Sequence, residues 1–129
     1  MKNLEEIKTA LNAIRSTLDV DVVDMGIEST YNKLIALTQL MGLSAECNAS
    51  AKKLLGIKEL EVFMTMNKNM PPSIQSKLLK AHCNEQEAVL EYADRLNASI
   101  VHCCDSLRSV ISLYKTEMQI TDYQSKLTK

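Results

Sequence analysis

The chain has 129 residues, one domain's worth, with a formal net charge of −1, 46% hydrophobic and 24% charged residues. That balance excludes a disordered chain and a global field that recruits nucleic acid or an anionic membrane. No stretch approaches the roughly 18 apolar residues that a membrane span needs.

Aromatics make up 4%, with no Trp and Phe63 as the single Phe, and there are three Gly and two Pro. The core must be aliphatic and the turns few, which predicts an all-α protein. The first element is short. Leu4, Ile7, Leu11, Ile14 and Leu18 recur at a 3-4-3-4 spacing, which predicts a helix over residues 1–18 with one apolar stripe. Asn3, with Glu6 three residues on, fits a capping box at its start. The helix is too short for a coiled coil of its own, so these five side chains are expected to dock on the body or on another subunit. They are candidate oligomer contacts. No apolar signal region follows Met1, so the start reads as a mature one.

Residues 19–27 read as a linker. The run from Asp19 to Asp24 alternates like a strand, but the chain offers no second strand to pair with it. Residues 28–67 then read as the first arm of a hairpin. Ile27, Tyr31, Leu34, Leu37 or Thr38, and Met41 mark its expected buried stripe, which continues through Leu54, Leu55, Leu60 and Phe63. Gly42 and Gly56 each cost about 1 kcal/mol against Ala inside a helix, so a break is allowed at either. Gly42, Ala45, Ala49 and Gly56 are expected to let the two arms approach closely.

Asn67 to Pro72 is the clearest turn. The second arm, residues 73–119, contains no Pro or Gly and spans roughly 70 Å as a helix, far more than a ~14 Å radius of gyration accommodates. The fold expected is a single domain: a long antiparallel helical hairpin with the short N-terminal helix near its open end. One polar stretch, His82 to Glu87, is a weak point in the second arm, and the tail, residues 120–129, is expected to fray. Broad apolar coverage from Ala98 to Ile111 points to a second buried face, hence an oligomeric helical bundle with Ile100, Leu107 and Ile111 among its contacts.

Chemistry is sparsely represented. His82-Cys83 and His102-Cys103-Cys104 are metal-ligand residue types, but positions 82 and 102 lie about 30 Å apart along one helix, and adjacent cysteines do not chelate as a spaced pair does. Cys103 and Cys104 read as small buried hydrophobes with the histidines at the edge of the stripe, and all four cysteines, Cys47 included, as reduced thiols in a cytosol. Glu85, Glu87, Glu91 and Asp94 lack the Glu-x-x-His pairing of a carboxylate metal site, and no phosphate loop or nucleophile motif occurs. No catalytic, cofactor or metal site is expected. Charge is more telling: Lys52, Lys53, Lys58, Lys68, Lys77 and Lys80 face only Glu59 and Glu61 between residues 52 and 80, a local charge of +4. In a hairpin they fall toward the Pro-Pro tip, where they could meet a phosphate backbone or an acidic protein. Met64, Met66 and Met70 near that tip read as core filling or as an adaptable contact surface.

The segment from Ala98 to Lys115, ASIVHCCDSLRSVISLYK, resembles the C-terminal helix of small phage recombination-mediator proteins. The shared elements are a Cys followed by Leu and Ile at helical spacing and then a basic residue. The resemblance implies a helical, oligomeric single-strand-binding accessory protein of a phage-infected bacterial cell. No functional residue carries over, because the aromatic and strongly basic positions of a DNA-binding face are not evident. Two functions are therefore expected: a non-enzymatic helical interaction protein (adaptor, assembly factor or inhibitor), and, as the alternative, a nucleic-acid-binding accessory protein using the Lys-rich tip.

Overall fold

A computed structural model describes residues 3–19 and 26–127, which contain four helices and no strand. They are α1 (Leu4–Leu18), α2 (Ile27–Thr65), α3 (Pro72–His82) and α4 (Asn84–Leu127). The all-α hairpin with a short N-terminal helix is the observed architecture. Most of the expected linker, residues 20–25, lies outside the described residues, as do residues 128–129.

The Asn3 side chain caps α1 by accepting from the Glu6 N–H at 2.9 Å, and the Glu6 carboxylate accepts from the Asn3 side-chain amide at 3.1 Å. At the far end of the hairpin, the Asn67 side chain accepts from the Asn69 N–H at 3.0 Å, and the Met70 N–H donates to the Asn67 carbonyl at 3.2 Å. Pro71 is extended and Pro72 occupies the first position of α3, where its missing N–H has no partner to lose. The polar stretch after His82 does interrupt the second arm. Cys83 has φ −102° and ψ 9°, off the helical values, and separates α3 from α4. Its side chain is fully buried at that bend. Beyond it, α4 continues through the expected tail to Leu127.

Gly42 and Gly56 do not break α2. Nor do they bring the arms together: a Cβ at either would meet nothing within 4 Å, and Gly42, Ala45, Ala49 and Gly56 are all exposed. The expected close approach through small residues is thus corrected. The seam of α2 runs instead through Thr30, Lys33, Leu37, Leu40, Ser44, Cys47, Ala51 and Leu54, at a strict 3-4 alternation. Of the apolar stripe expected from sequence, Leu37 alone is fully buried. Tyr31, Leu34 and Met41 sit half-buried at the edge, and Thr38 is exposed.

This seam is short on bulk, and α1 supplies it. Among the largest fully buried side chains, Ile7, Leu11 and Ile14 come from α1's fifteen residues, alongside Leu37, Ile100 and Leu107. The start of α1 lies by Leu54 and Ile57 of α2, and at its other end Lys33 Nζ donates to the Thr17 carbonyl at 2.5 Å. The helix therefore runs antiparallel to α2. Lys8 Nζ pairs with Glu85 at 2.9 Å and the Tyr92 hydroxyl reaches Asn12 at 3.4 Å, so it runs parallel to α4. It lies along the middle of the hairpin rather than at its open end, because there both arms present seam residues for it to cover.

Lys33 is only 8% exposed. Its ammonium sits on a carbonyl of the last turn of α1, where the helix dipole favours a cation. Truncation of Leu11 to Ala is expected to lower unfolding free energy by about 2–5 kcal/mol in urea titrations. Lys33→Met should cost about 1.5–3 kcal/mol, the range for a charged hydrogen bond. A loss below about 0.5 kcal/mol, the range of surface substitutions, would show that α1 does not fill the core.

Candidate interaction surfaces

The eight side chains read as oligomer contacts have their place within one chain. Ile7, Leu11, Ile14, Ile100, Leu107 and Ile111 are at most 5% exposed there, and Leu4 and Leu18 pack half-buried against the same core. That expectation is corrected. The stripe of α1 faces its own hairpin, and Ile100, Leu107 and Ile111 form the α4 side of the seam, with Val89, Ala93, Leu96 and Cys104.

The six lysines stand toward the turn end of the hairpin but do not converge. Lys52, Lys53, Lys68, Lys77 and Lys80 are exposed and Lys58 is half-buried. At 100° per residue, Lys53 lies about 100° around α2 from Lys52, and Lys58 about 120° from Lys52 and 140° from Lys53. These three therefore leave α2 on three sides. Lys77 and Lys80 share a face of α3, and Lys68 is in the turn. Lys58 borders a shallow cleft with Glu61, Val62, Thr65 and His82.

Cys47, Cys83 and Cys104 are fully buried, and Cys103 is partly exposed. Burial pushes the thiols of Cys47, Cys83 and Cys104 above the ordinary cysteine range. Glu46 adds to this at Cys47, and Glu59 and Glu87 add to it at Cys83. Such thiols stay protonated and unreactive at neutral pH. His82 and His102 are exposed. Among the described residues no three His, Cys, Asp or Glu side chains gather as metal ligands do. The carboxylates of α4 make surface contacts instead: Glu85 to Lys8, Glu91 to Arg95, and Asp94 to the amide of Asn48. The Ser44 hydroxyl, fully buried, donates to the Asn97 side chain at 3.2 Å.

The conspicuous surface feature is apolar. On α2, Ile35, Ile57, Leu60, Phe63 and Met64 are 46–74% exposed. Leu60 and Met64 lie about 160° around the axis from buried Val62, on the side facing away from the seam. At the other end, Leu113, Ile120, Tyr123 and Leu127 of α4 are 52–67% exposed. With Thr116 they repeat the 3-4-3-4 spacing, so a second stripe was present in the sequence, out of phase with the core stripe and hidden beside it. Met66 and Met70 are half-buried at the turn.

Among the described residues, no helix is long and apolar enough to cross a membrane. The chain matches no protein-family model, no curated protein and no solved structure.

The thiols supply a pH dependence. Each folded-state value is raised, so their contribution to stability is complete below the unfolded thiol pKa of about 8.5. It declines as pH rises through the folded values. Alkylation of the native protein at pH 8 should modify Cys103 first and leave Cys47, Cys83 and Cys104 protected until unfolding. Equal rates at all four thiols would contradict the burial described.

Proposed function

We propose that the protein is a non-enzymatic helical interaction protein, acting as an adaptor, assembly factor or inhibitor, and that it works as a homo-oligomer. The observation that carries this reading is the apolar surface. Among the described residues, thirteen large hydrophobic side chains are at least 39% exposed, and nine of them lie in two groups, on the outer face of α2 and along the C-terminal part of α4. Exposed apolar side chains grouped on helix faces in this way mark a contact site. Methionine at position 64, the most exposed of them at 74%, adapts to varied partner shapes. The reading is also favoured by where the polar groups lie. The buried thiols are held protonated, and the histidines are exposed.

The nucleic-acid reading rests on the +4 segment between residues 52 and 80. It is the second choice because a phosphate backbone is gripped by a groove or patch of one sign, whereas three of the six lysines leave α2 in different directions. Phe63 is the single aromatic side chain near that end, too few for a stacking platform.

One experiment separates the two. Tagged wild type, a Leu60→Ser/Phe63→Ser variant and a Leu113→Ser/Ile120→Ser variant are each used to capture proteins from the native host. In parallel, each is titrated with labelled single-stranded DNA at low and moderate salt. The proposal predicts a stoichiometric protein partner that one of the serine pairs removes while circular dichroism stays helical. It also predicts no salt-dependent DNA shift. A DNA complex abolished by reversing Lys52, Lys53, Lys77 and Lys80 to Glu, with no protein captured, would replace it with the nucleic-acid reading.

A further inference from the structure

The outer face of α2 contains glycines and apolar side chains that the fold of one chain does not use. Gly42 and Gly56 sit in the interior of a 39-residue helix, with open space where a Cβ would lie and no left-handed backbone angle. Interior helical glycines are disfavoured, and nothing in the hairpin requires them. Flanking them on the same face, Ile35 is 56% exposed, Leu60 60% and Phe63 55%.

The two glycines, Ile35 and Phe63 are placed symmetrically about Ala49, which is itself exposed, while Leu60 has Thr38 at its mirrored position. Gly42 and Gly56 stand seven residues to either side of it, and Ile35 and Phe63 fourteen. Glu46 comes three residues before Ala49 and Lys53 four residues after it. Seven residues apart, Glu46 and Lys53 lie within about 20° of each other around the axis, on one side of the face. All of these positions are exposed.

We infer that the outer face of α2 is the contact between two copies of this chain, packed antiparallel about a twofold axis through Ala49. An isologous contact sets the same patch against itself. Here that sets Gly42 against the partner's Gly56, Ile35 against the partner's Phe63 and Ala49 against the partner's Ala49. The paired glycines let the backbones approach closely at two points, and the larger side chains close the two ends. On the same side of the face, Glu46 meets the partner's Lys53 at a height difference of about 1.5 Å, and symmetry makes that pair twice. A second copy is the occupant because the glycine spacing, the apolar ends at Ile35 and Phe63 and the Glu46 and Lys53 charges satisfy the same axis. A face of a different partner would have no reason to mirror itself about Ala49. From Ile35 to Phe63 the contact is about 42 Å long and roughly 10 Å wide. That is below the usual ~800 Å² per subunit, so a weak, micromolar dimer is expected.

The inference rests on the oligomeric part of the proposed function, and the test separates the two. Sedimentation equilibrium of the full chain to about 300 µM should give a dimer with Kd in the micromolar range. Gly56→Leu should weaken it at least about tenfold, because a side chain now fills the approach. At concentrations where both proteins are monomeric, its melting temperature should equal or exceed that of wild type. Glu46→Lys should also weaken the dimer, and Glu46→Lys/Lys53→Glu should restore it. Ala49→Cys should form an intermolecular disulfide on mild oxidation. A wild type that stays monomeric throughout overturns both the contact and the oligomeric reading, leaving the protein-partner reading to the capture experiment. A dimer that Gly56→Leu and Glu46→Lys leave intact overturns this contact alone. A dimer weakened by Glu46→Lys but not restored by the double reversal overturns the antiparallel arrangement.

Discussion

The structure depends on three aliphatic side chains of α1 filling the groove between two long helices. Between Leu37, Leu40 and Leu54, the inward face of α2 offers Thr30, Lys33, Ser44, Cys47 and Ala51, and such small or polar residues add little apolar burial to the helix pair. Ile7, Leu11 and Ile14 supply the missing volume. What packs the middle of the molecule is therefore a three-helix layer, flanked by two-helix extensions. Lys33 fastens that layer from the other direction by placing a cation on the C-terminal carbonyls of α1.

The consequences run outward from this layer. Because α1 covers one side of the α2–α4 pair, the outer face of α2 and the C-terminal part of α4 remain as the open apolar surfaces. The buried Ser44 hydroxyl is matched across the seam by the Asn97 side chain, a contact that favours one register of the two helices. The buried thiols sit in the same layer or at the Cys83 bend. Burial there raises their pKa and makes them packing elements rather than nucleophiles.

Some of this was legible in the sequence. The spacing of Leu4, Ile7, Leu11, Ile14 and Leu18 showed the helix and its sticky stripe, and the Pro71-Pro72 pair showed the hairpin turn. What the stripe would dock against was not legible, because the surface receiving it on α2 interleaves Thr30, Lys33 and Ser44 with Leu37, Leu40 and Leu54. A search for hydrophobic periodicity finds Tyr31, Leu34 and Met41 and passes over Thr30, Lys33 and Ser44, which are the residues facing inward. A buried lysine announces itself only through the carbonyl it caps. Gly42 and Gly56 look like breaks or close-contact points, and only coordinates distinguish these from an outward-facing position. The stripe from Leu113 to Leu127 was readable, but the core stripe beside it drew the period. The candidate site was legible as a set of lysines, yet their directions around α2 follow from residue spacing and show that they diverge.

The most direct test of the central claim is native-state hydrogen exchange resolved by residue. If α1 is an integral wall of the core, the amides of Leu11 and Ile14 should exchange with the same opening free energy as those of Ser44, Cys47 and Ile100, all equal to global unfolding. Exchange at Leu11 and Ile14 faster by about 2 kcal/mol or more of opening free energy would contradict it. That result would show a hairpin that stands alone with α1 loosely attached.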